Sequence, residues 1–510
     1  MRTLTLITLV ALLAVVVARA GPGRDKAERK PGKAAGRRRV DPDAMTDAEG
    51  EEFEKKNGFN PRKNQARMNR LRAKQAARAR KQNNNNKEAA VRREKFNKEI
   101  GEIRQEKPLT KEGEENVVDL SKINEESGVA GLFVEGDMQL TDEQFEDYEK
   151  ETEESDGARE KRQVTKIYNK WTSNTVYYTY DASISATTKA AIIAGINYLA
   201  ARTCLKFVES ATATNRIRFI NGAGCYSYVG MVGGVQDVSI GNGCEVIGTV
   251  VHEIMHALGV FHFQSRYDRD SYVSIDMTYV PADRQNNFVK YTSTQTINYT
   301  PYEYGSTMHY SANSFVTQSG AVSIWPKDQD YVFTMGNRIV SFYDIKLVNT
   351  HYACTCASGA TCVNGGERNP KNCAQCLCPM GYGGTTCSTR PAGCGSALTA
   401  TTAWQTTVIQ AGDNLQTVRN DFTLCTSWVS APAGKTLQFN ITGNFNTQCQ
   451  YGCPFNGLEI KNKADLKAAS PRHCCTNTFN KVISSTNNPT PLIAYNRYYI
   501  TQFQVAYRYV

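Results

Sequence analysis

Histidine is scarce in this chain of 510 residues, with six in all, and tryptophan is scarcer at four. Cysteine is missing from the first 203 positions, since all sixteen lie between Cys204 and Cys475. Beyond the opening residues no run approaches the roughly 18 uninterrupted apolar positions that a membrane span requires, which excludes a spanning helix there. Residues 21–162 are poor in aromatics and rich in charge. Such a composition buries too little apolar surface to offset chain entropy and predicts a segment that is disordered or loosely helical when alone.

What is present divides the chain. The opening "MRTLTLITLVALLAVVVARA" has one early arginine, a mostly apolar run and a small-residue Ala18-Arg19-Ala20 ending, which reads as a secretory leader over residues 1–20. An even number of cysteines in an oxidising compartment reads as disulfides, so a secreted, extracellular protein is expected. The formal charge is +10, with 34 Lys and Arg against 32 Asp and Glu in residues 1–162 and 26 against 18 in residues 163–510. The surplus of eight in the second part is mild and reads as a solvated surface, not as a nucleic-acid or heparin site.

Residues 21–162 read as a pro-segment with a basic front and an acidic back, ending in Arg159-Glu160-Lys161-Arg162. A furin-type protease of the secretory pathway is expected to cut after Arg162. From there "WTSNTVYYTY", "RIRFI" and "QDVSI" are strand-like, and "SATTKAAIIAGINYLAARTC" places Ile192, Ile196 and Leu199 on one helical face. An α+β domain over residues 163–355 follows. Residues 394–510 alternate apolar and polar positions in short runs and predict an all-β sandwich.

Three of the six histidines fall within "VHEIMHALGVFHFQSRYDRD". Residues 246–258 carry apolar positions at helical spacing, and His252 and His256, four apart, stack one turn above the other. That spacing lets two imidazoles reach one tetrahedral zinc at about 2.0–2.1 Å. Gly259 supplies a helix-ending conformation, and the chain can turn to return His262 as third ligand. Three neutral imidazoles leave a position for water, whose pKa the metal lowers toward about 7, and Glu253 can accept its proton. A lone His-Glu-x-x-His is often an ordinary exposed helix face, but Gly259 and His262 in register count against that reading here.

"HEIMHALGVFHFQSRYDRD", together with "YGSTMHY" downstream, resembles the astacins among the metzincin zinc proteases. The resemblance covers about residues 130–510. It implies Met308 as an apolar floor under the zinc, and Tyr310 as a tyrosine that ligates zinc at rest and then stabilises the oxyanion. "LFVEGDMQLT" resembles the family's latency motif, which implies Asp137 as a zinc ligand in place of water. Two bridges are implied, Cys204–Cys354 and Cys225–Cys244, and the run between the latter pair resembles the segment leading into the edge strand along which substrates lie. Residues 356–387 resemble an EGF-like module, implying Cys356–Cys373, Cys362–Cys376 and Cys378–Cys387. Residues 394–510 resemble a CUB domain, where Cys394–Cys425 is expected and the pairing of Cys449, Cys453, Cys474 and Cys475 stays open. The expected fold class is thus multidomain, with a largely disordered or helical pro-segment, an α+β metzincin catalytic domain, a small disulfide-rich EGF-like module and an all-β CUB sandwich.

Two departures stand out. Astacins usually carry Glu directly after the third histidine, where it receives the new N-terminal amine, and this chain has Phe263. Calcium-binding CUB domains carry acidic residues near the position of Asn456, so no calcium site is expected. Sequons at Asn298 and Asn440 are expected N-glycan sites. The resulting expectation is a secreted, latent zinc endopeptidase acting on extracellular matrix, collagen, cuticle or egg-coat proteins. Two alternatives are a catalytically silent adhesive scaffold, opposed by the intact Glu253 and histidines, and a matrix-metalloprotease-like enzyme, opposed by the lack of a pro-segment cysteine.

Overall fold

The computed structural model of the chain describes residues 39–82, 86–100, 119–153, 169–293 and 295–510. The expected leader and the expected cleavage point, Arg162 and Gln163, lie outside them. Among the described residues no helix is long and apolar enough to cross a membrane.

The first part is helical: α1 (Asp47–Asn57), α2 (Pro61–Gln82), α3 (Asn86–Ile100), α4 (Leu120–Glu126) and α5 (Asp142–Glu153), with a short strand β1 (Met138–Gln139) before α5. Local chemistry sets these boundaries. Thr46 and Glu49 form a reciprocal capping box at the start of α1, and Gly58 ends it in the left-handed region at φ +74°. The described helices carry too narrow an apolar stripe to build a core of their own. They bury that stripe on the rest of the chain: Met68, Leu71, Phe145 and Tyr148 share a cluster with Val229 and Tyr291. Within the whole chain these residues are helices packed on a neighbouring surface.

The next part holds β2 (Thr175–Tyr180), α6 (Ala186–Ala200), β3 (Lys206–Glu209), β4 (Arg216–Ile220), β5 (Cys225–Tyr228), β6 (Val235–Ile240), α7 (Ile247–Ala257), β7 (Val273–Ile275), β8 (Ile324–Pro326) and α8 (Phe342–His351). One six-stranded sheet runs β1-β5-β6-β4-β2-β3, with β5 antiparallel to β6 and the other pairings parallel. Helices α6 and α7 pack closely because Gly195 has no side chain: a Cβ there would sit 2.6 Å from Val250 Cγ1. Ile192, Ile196 and Leu199 are buried in the same cluster as Val250, Val251 and Ile254. Cys204–Cys354 and Cys225–Cys244 are bridged.

Residues 354–394 are small and disulfide-rich, with β9 (Glu367–Asn369) antiparallel to β10 (Asn372–Leu377) and bridges Cys356–Cys373, Cys362–Cys376 and Cys378–Cys387. Nine further strands follow: β11 (Ala397–Thr399), β12 (Gln405–Gly412), β13 (Val418–Ser430), β14 (Leu437–Phe445), β15 (Asn456–Ile460), β16 (Arg472–His473), β17 (Val482–Ser485), β18 (Thr490–Tyr498) and β19 (Ile500–Tyr509). They form a five-stranded sheet, β11-β13-β18-β15-β16, and a four-stranded one, β12-β19-β14-β17. Val429, Phe439, Leu458, Leu492, Phe503 and Val505 fill a common core of both sheets. Besides Cys394–Cys425, the adjacent pair divides its partners, Cys449 bonding Cys475 and Cys453 bonding Cys474. This β-rich part is hydrogen-bonded to the middle of the chain, where Asn337 donates to the Gly452 carbonyl at 2.7 Å and Thr334 Oγ1 accepts from Arg472 N at 2.9 Å.

Candidate metal centre

Helix α7 is buried from Gly248 to Ala257, and it carries His252, Glu253 and His256 into the interior. It stops at Leu258, and Gly259 at φ +95° lets the chain reverse. His262 then comes back beside the other two. Each ring is aimed by its Nδ1: His252 toward the Thr307 carbonyl at 2.7 Å, His256 toward the Val260 carbonyl at 2.8 Å, and His262 toward Glu135 Oε2 at 2.8 Å. Those three oxygens only accept, so each neutral ring carries its proton on Nδ1 and leaves a lone pair on Nε2.

The Nε2 atoms converge. His252 Nε2 lies 3.0 Å from that of His256 and 3.3 Å from that of His262. Asp137 closes the group, with oxygens 3.4 Å from His252, 3.2 Å from His262 and 3.6 Å from His256. A tetrahedral ion about 2.0–2.1 Å from four ligands sets ligand-to-ligand distances of about 3.3–3.4 Å. Three lone pairs and a carboxylate at that spacing repel one another unless a cation lies among them, so the residues fit a single zinc. This is the one group of at least three potential ligands found among the described residues.

The surroundings tune the charges. Burial, and after it the charge of Asp137, pushes the Glu253 carboxyl well above its ordinary range. Glu253 is fully buried and neither of its carboxyl oxygens has a hydrogen-bond partner. A divalent cation beside it acts in the opposite direction and favours the carboxylate.

Tyr310 is buried, its ring 4.8 Å from that of His262, and its hydroxyl donates to the Glu135 carbonyl. In this arrangement Asp137 faces the histidines while Tyr310 is engaged by the residue two positions earlier. Met308 is fully buried in the core cluster that contains α7, and its carbonyl accepts from Phe263 N at 3.0 Å. Phe263 itself is buried, edge-on to Tyr302 and under the Arg266 guanidinium. Asn298 and Asn440 are half-buried and belong to no part of this centre.

Several residues here were not singled out from the sequence. Glu135 orients His262, and Arg338 Nη1 donates at 2.6 Å to the same Thr307 carbonyl that aims His252. Asn124 ties the Asp137 segment in place: its Nδ2 donates to the carbonyls of Gly136 and Cys225, and its Oδ1 accepts from Cys225 N. Only for Glu135 was there a signal, its place two positions before Asp137. The segment then runs into β1, which pairs with β5 through Met138 opposite Ser227 and Gln139 opposite Tyr228.

Several known proteins are similar to this chain. The peptidase family Astacin matches residues 163–353. Zinc metalloproteinase nas-31 of Caenorhabditis elegans is 42% identical over 429 residues, covering 81% of this chain and 70% of that protein. Zinc metalloproteinase nas-32 of the same organism is 45% identical over 399 residues, 77% of this chain, and the match spans 61% of the relative's length. High choriolytic enzyme 1, a hatching enzyme zinc-protease from Oryzias latipes, is a solved structure with 33% identity over 37% of this chain and 94% of its own, at a TM-score of 0.34. The chain belongs to the astacin family of zinc metalloproteinases, and the grouping of His252, His256, His262 and Asp137 is consistent with a single zinc site.

Proposed function

We infer that the protein is a secreted zinc endopeptidase made in a latent form, with residues 1–20 as leader, 21–162 as pro-segment and 163–355 as peptidase domain. The observation that carries this reading is the seating of Asp137 on the three histidines, at 3.2–3.6 Å from their Nε2 atoms. A carboxylate there takes the place that a hydrolytic water needs. The β1–β5 pairing supports the same reading, because it uses the edge that an extended substrate would join. Cleavage by a furin-type protease after Arg162 would release both.

Zinc held by His252, His256 and His262 would supply Lewis acidity to the scissile carbonyl and a more acidic water. Glu253 takes the proton of the attacking water and returns it to the leaving amine. Tyr310, freed from the Glu135 carbonyl, turns its hydroxyl to the developing oxyanion. The edge of β5 holds the peptide extended through backbone hydrogen bonds. Substrates are extracellular proteins of the matrix, collagen, cuticle or egg-coat kind. The EGF-like residues 356–387 and CUB-like residues 394–510 recruit them. Phe263 takes the place of an ion pair to the mature terminus by apolar packing, so Gln163 needs no free amine. N-terminal mass analysis with Phe263→Glu tests that point, and an indispensable free amine at Gln163 refutes it. In this reading Asn298 and Asn440 carry N-glycans.

The deciding test is cleavage of casein or gelatin before and after processing at Arg162, with a zinc chelator and Glu253→Ala as controls. Activity confined to the processed form and lost in both controls is expected. Zinc bound at full occupancy with no cleavage after processing would move the silent-scaffold reading to the front.

A further inference from the structure

Helix α3 of the pro-segment touches none of the metal ligands, yet it is built into the molecule. Ala89 is fully buried in a cluster with Val273, Ile275 and Trp325 of the β7–β8 hairpin. One turn on, Arg93 Nη1 lies 3.0 Å from Asp276 Oδ2, directly after β7, and its guanidinium stands 5.9 Å over the Tyr279 ring. Arg92 Nη1 donates to the Lys327 carbonyl just past β8.

The receiving side is arranged by residues of its own. Asp276 Oδ1 accepts from Thr278 N at 3.0 Å and from Thr278 Oγ1 at 2.5 Å, which aims Oδ2 outward. The Asp276 amide is fixed by the Ser323 carbonyl at 2.8 Å. None of these contacts involves the pro-segment, so the carboxylate stays oriented when α3 leaves. What α3 leaves behind is an apolar hairpin face with a fixed acceptor and an aromatic ring spaced for one guanidinium. A preorganised site of this kind loses little freedom on binding and favours a partner of matching charge.

We propose that this face, made by β7, β8, Asp276 and Tyr279, is a substrate-docking exosite of the processed enzyme, taking a basic helical segment of a protein substrate with arginine on Asp276. The pro-segment helix is the template for that partner: small at the position of Ala89 and arginine at that of Arg93, one turn apart on one helical face. The proposal rests on the reading that residues 21–162 are removed to give an active peptidase.

The test uses the chain processed at Arg162 and a fluorescent peptide of residues 86–100. Anisotropy should report binding that weakens about 10-fold, or 1.4 kcal/mol, when the peptide carries Arg93→Glu or the enzyme carries Asp276→Asn. The unlabelled peptide should raise the KM for casein several-fold while leaving cleavage of a short quenched peptide unchanged. Asp276→Asn should likewise raise KM for casein and spare the short peptide, whose cleavage also reports an intact fold. Equal binding of the Arg93→Glu peptide, or casein cleavage indifferent to saturating peptide, overturns the exosite. Equal inhibition of both substrates overturns it too, since the peptide then sits in the cleft. Failure of the processed enzyme to cut even the short peptide strikes the underlying peptidase reading instead, while the anisotropy still judges the surface.

Discussion

Residues 39–153 and residues 169–510 are held in opposite ways. All eight disulfides tie the second region, including one that closes 150 positions between Cys204 and Cys354. The first region carries no disulfide and is held by side-chain contacts together with the backbone pairing of β1 with β5. Phe59 and Phe133 pack on Tyr226 at centroid distances of 5.3 and 4.6 Å, Arg70 and Lys74 share Glu149, and Arg93 holds Asp276. Contacts of this kind are reversible, whereas the second region is closed by covalent bonds. The proposed release of residues 21–162 would exploit this difference.

The largest effect expected separates chemistry from scaffold. Glu253→Ala should lower kcat of the processed form by about 10²–10⁴-fold with the thermal midpoint kept, because in the proposed mechanism the residue acts on a proton. A matching fall in the midpoint would instead make Glu253 a structural group. Next in size, replacing both Cys204 and Cys354 by serine should cost about 5 kcal/mol in the loop-entropy account, read by denaturant unfolding. If that loss is small, the cross-linked region owes its shape to packing, and the contrast between the two regions narrows.

Phe133→Ala in the unprocessed chain should weaken the docking of the first region by about 3–5 kcal/mol, since the ring is buried between Phe59 and Tyr226. Hydrogen exchange should then rise across residues 120–139 and stay low in α6 and α7. Uniform loosening would show that the two regions unfold as one.

The smallest effect concerns Glu303, which accepts from Gly305 N and, at the contact with the β-rich part, from Ala469 N. Burial raises its carboxyl to about 7, although the Gly305 and Ala469 amides pull the other way. A raised folded-state pKa contributes stability that is full below the unfolded value near 4.5 and is lost as pH rises through about 7. The thermal midpoint should therefore fall by a few degrees between pH 5 and 8, and Glu303→Gln should flatten that slope. An unchanged slope in the variant would place its origin elsewhere.

By itself the sequence determined what short-range chemistry controls. His252 and His256 lie one turn apart because a helix repeats every 3.6 residues, and Gly259 marks the reversal because a left-handed turn suits glycine. Alternating apolar positions announced the late strands, and the cysteine count announced a bridged, oxidised chain. Only the tertiary structure decided how Cys474 and Cys475 divide their partners, since adjacent thiols have nearly the same reach along the chain. The same holds for β1 against β5, for Asn124 bonding Cys225 across 101 positions, and for α3 on the β7–β8 hairpin. A helix with a narrow apolar stripe states that it needs a surface, but which surface it finds depends on packing among elements far apart in the chain.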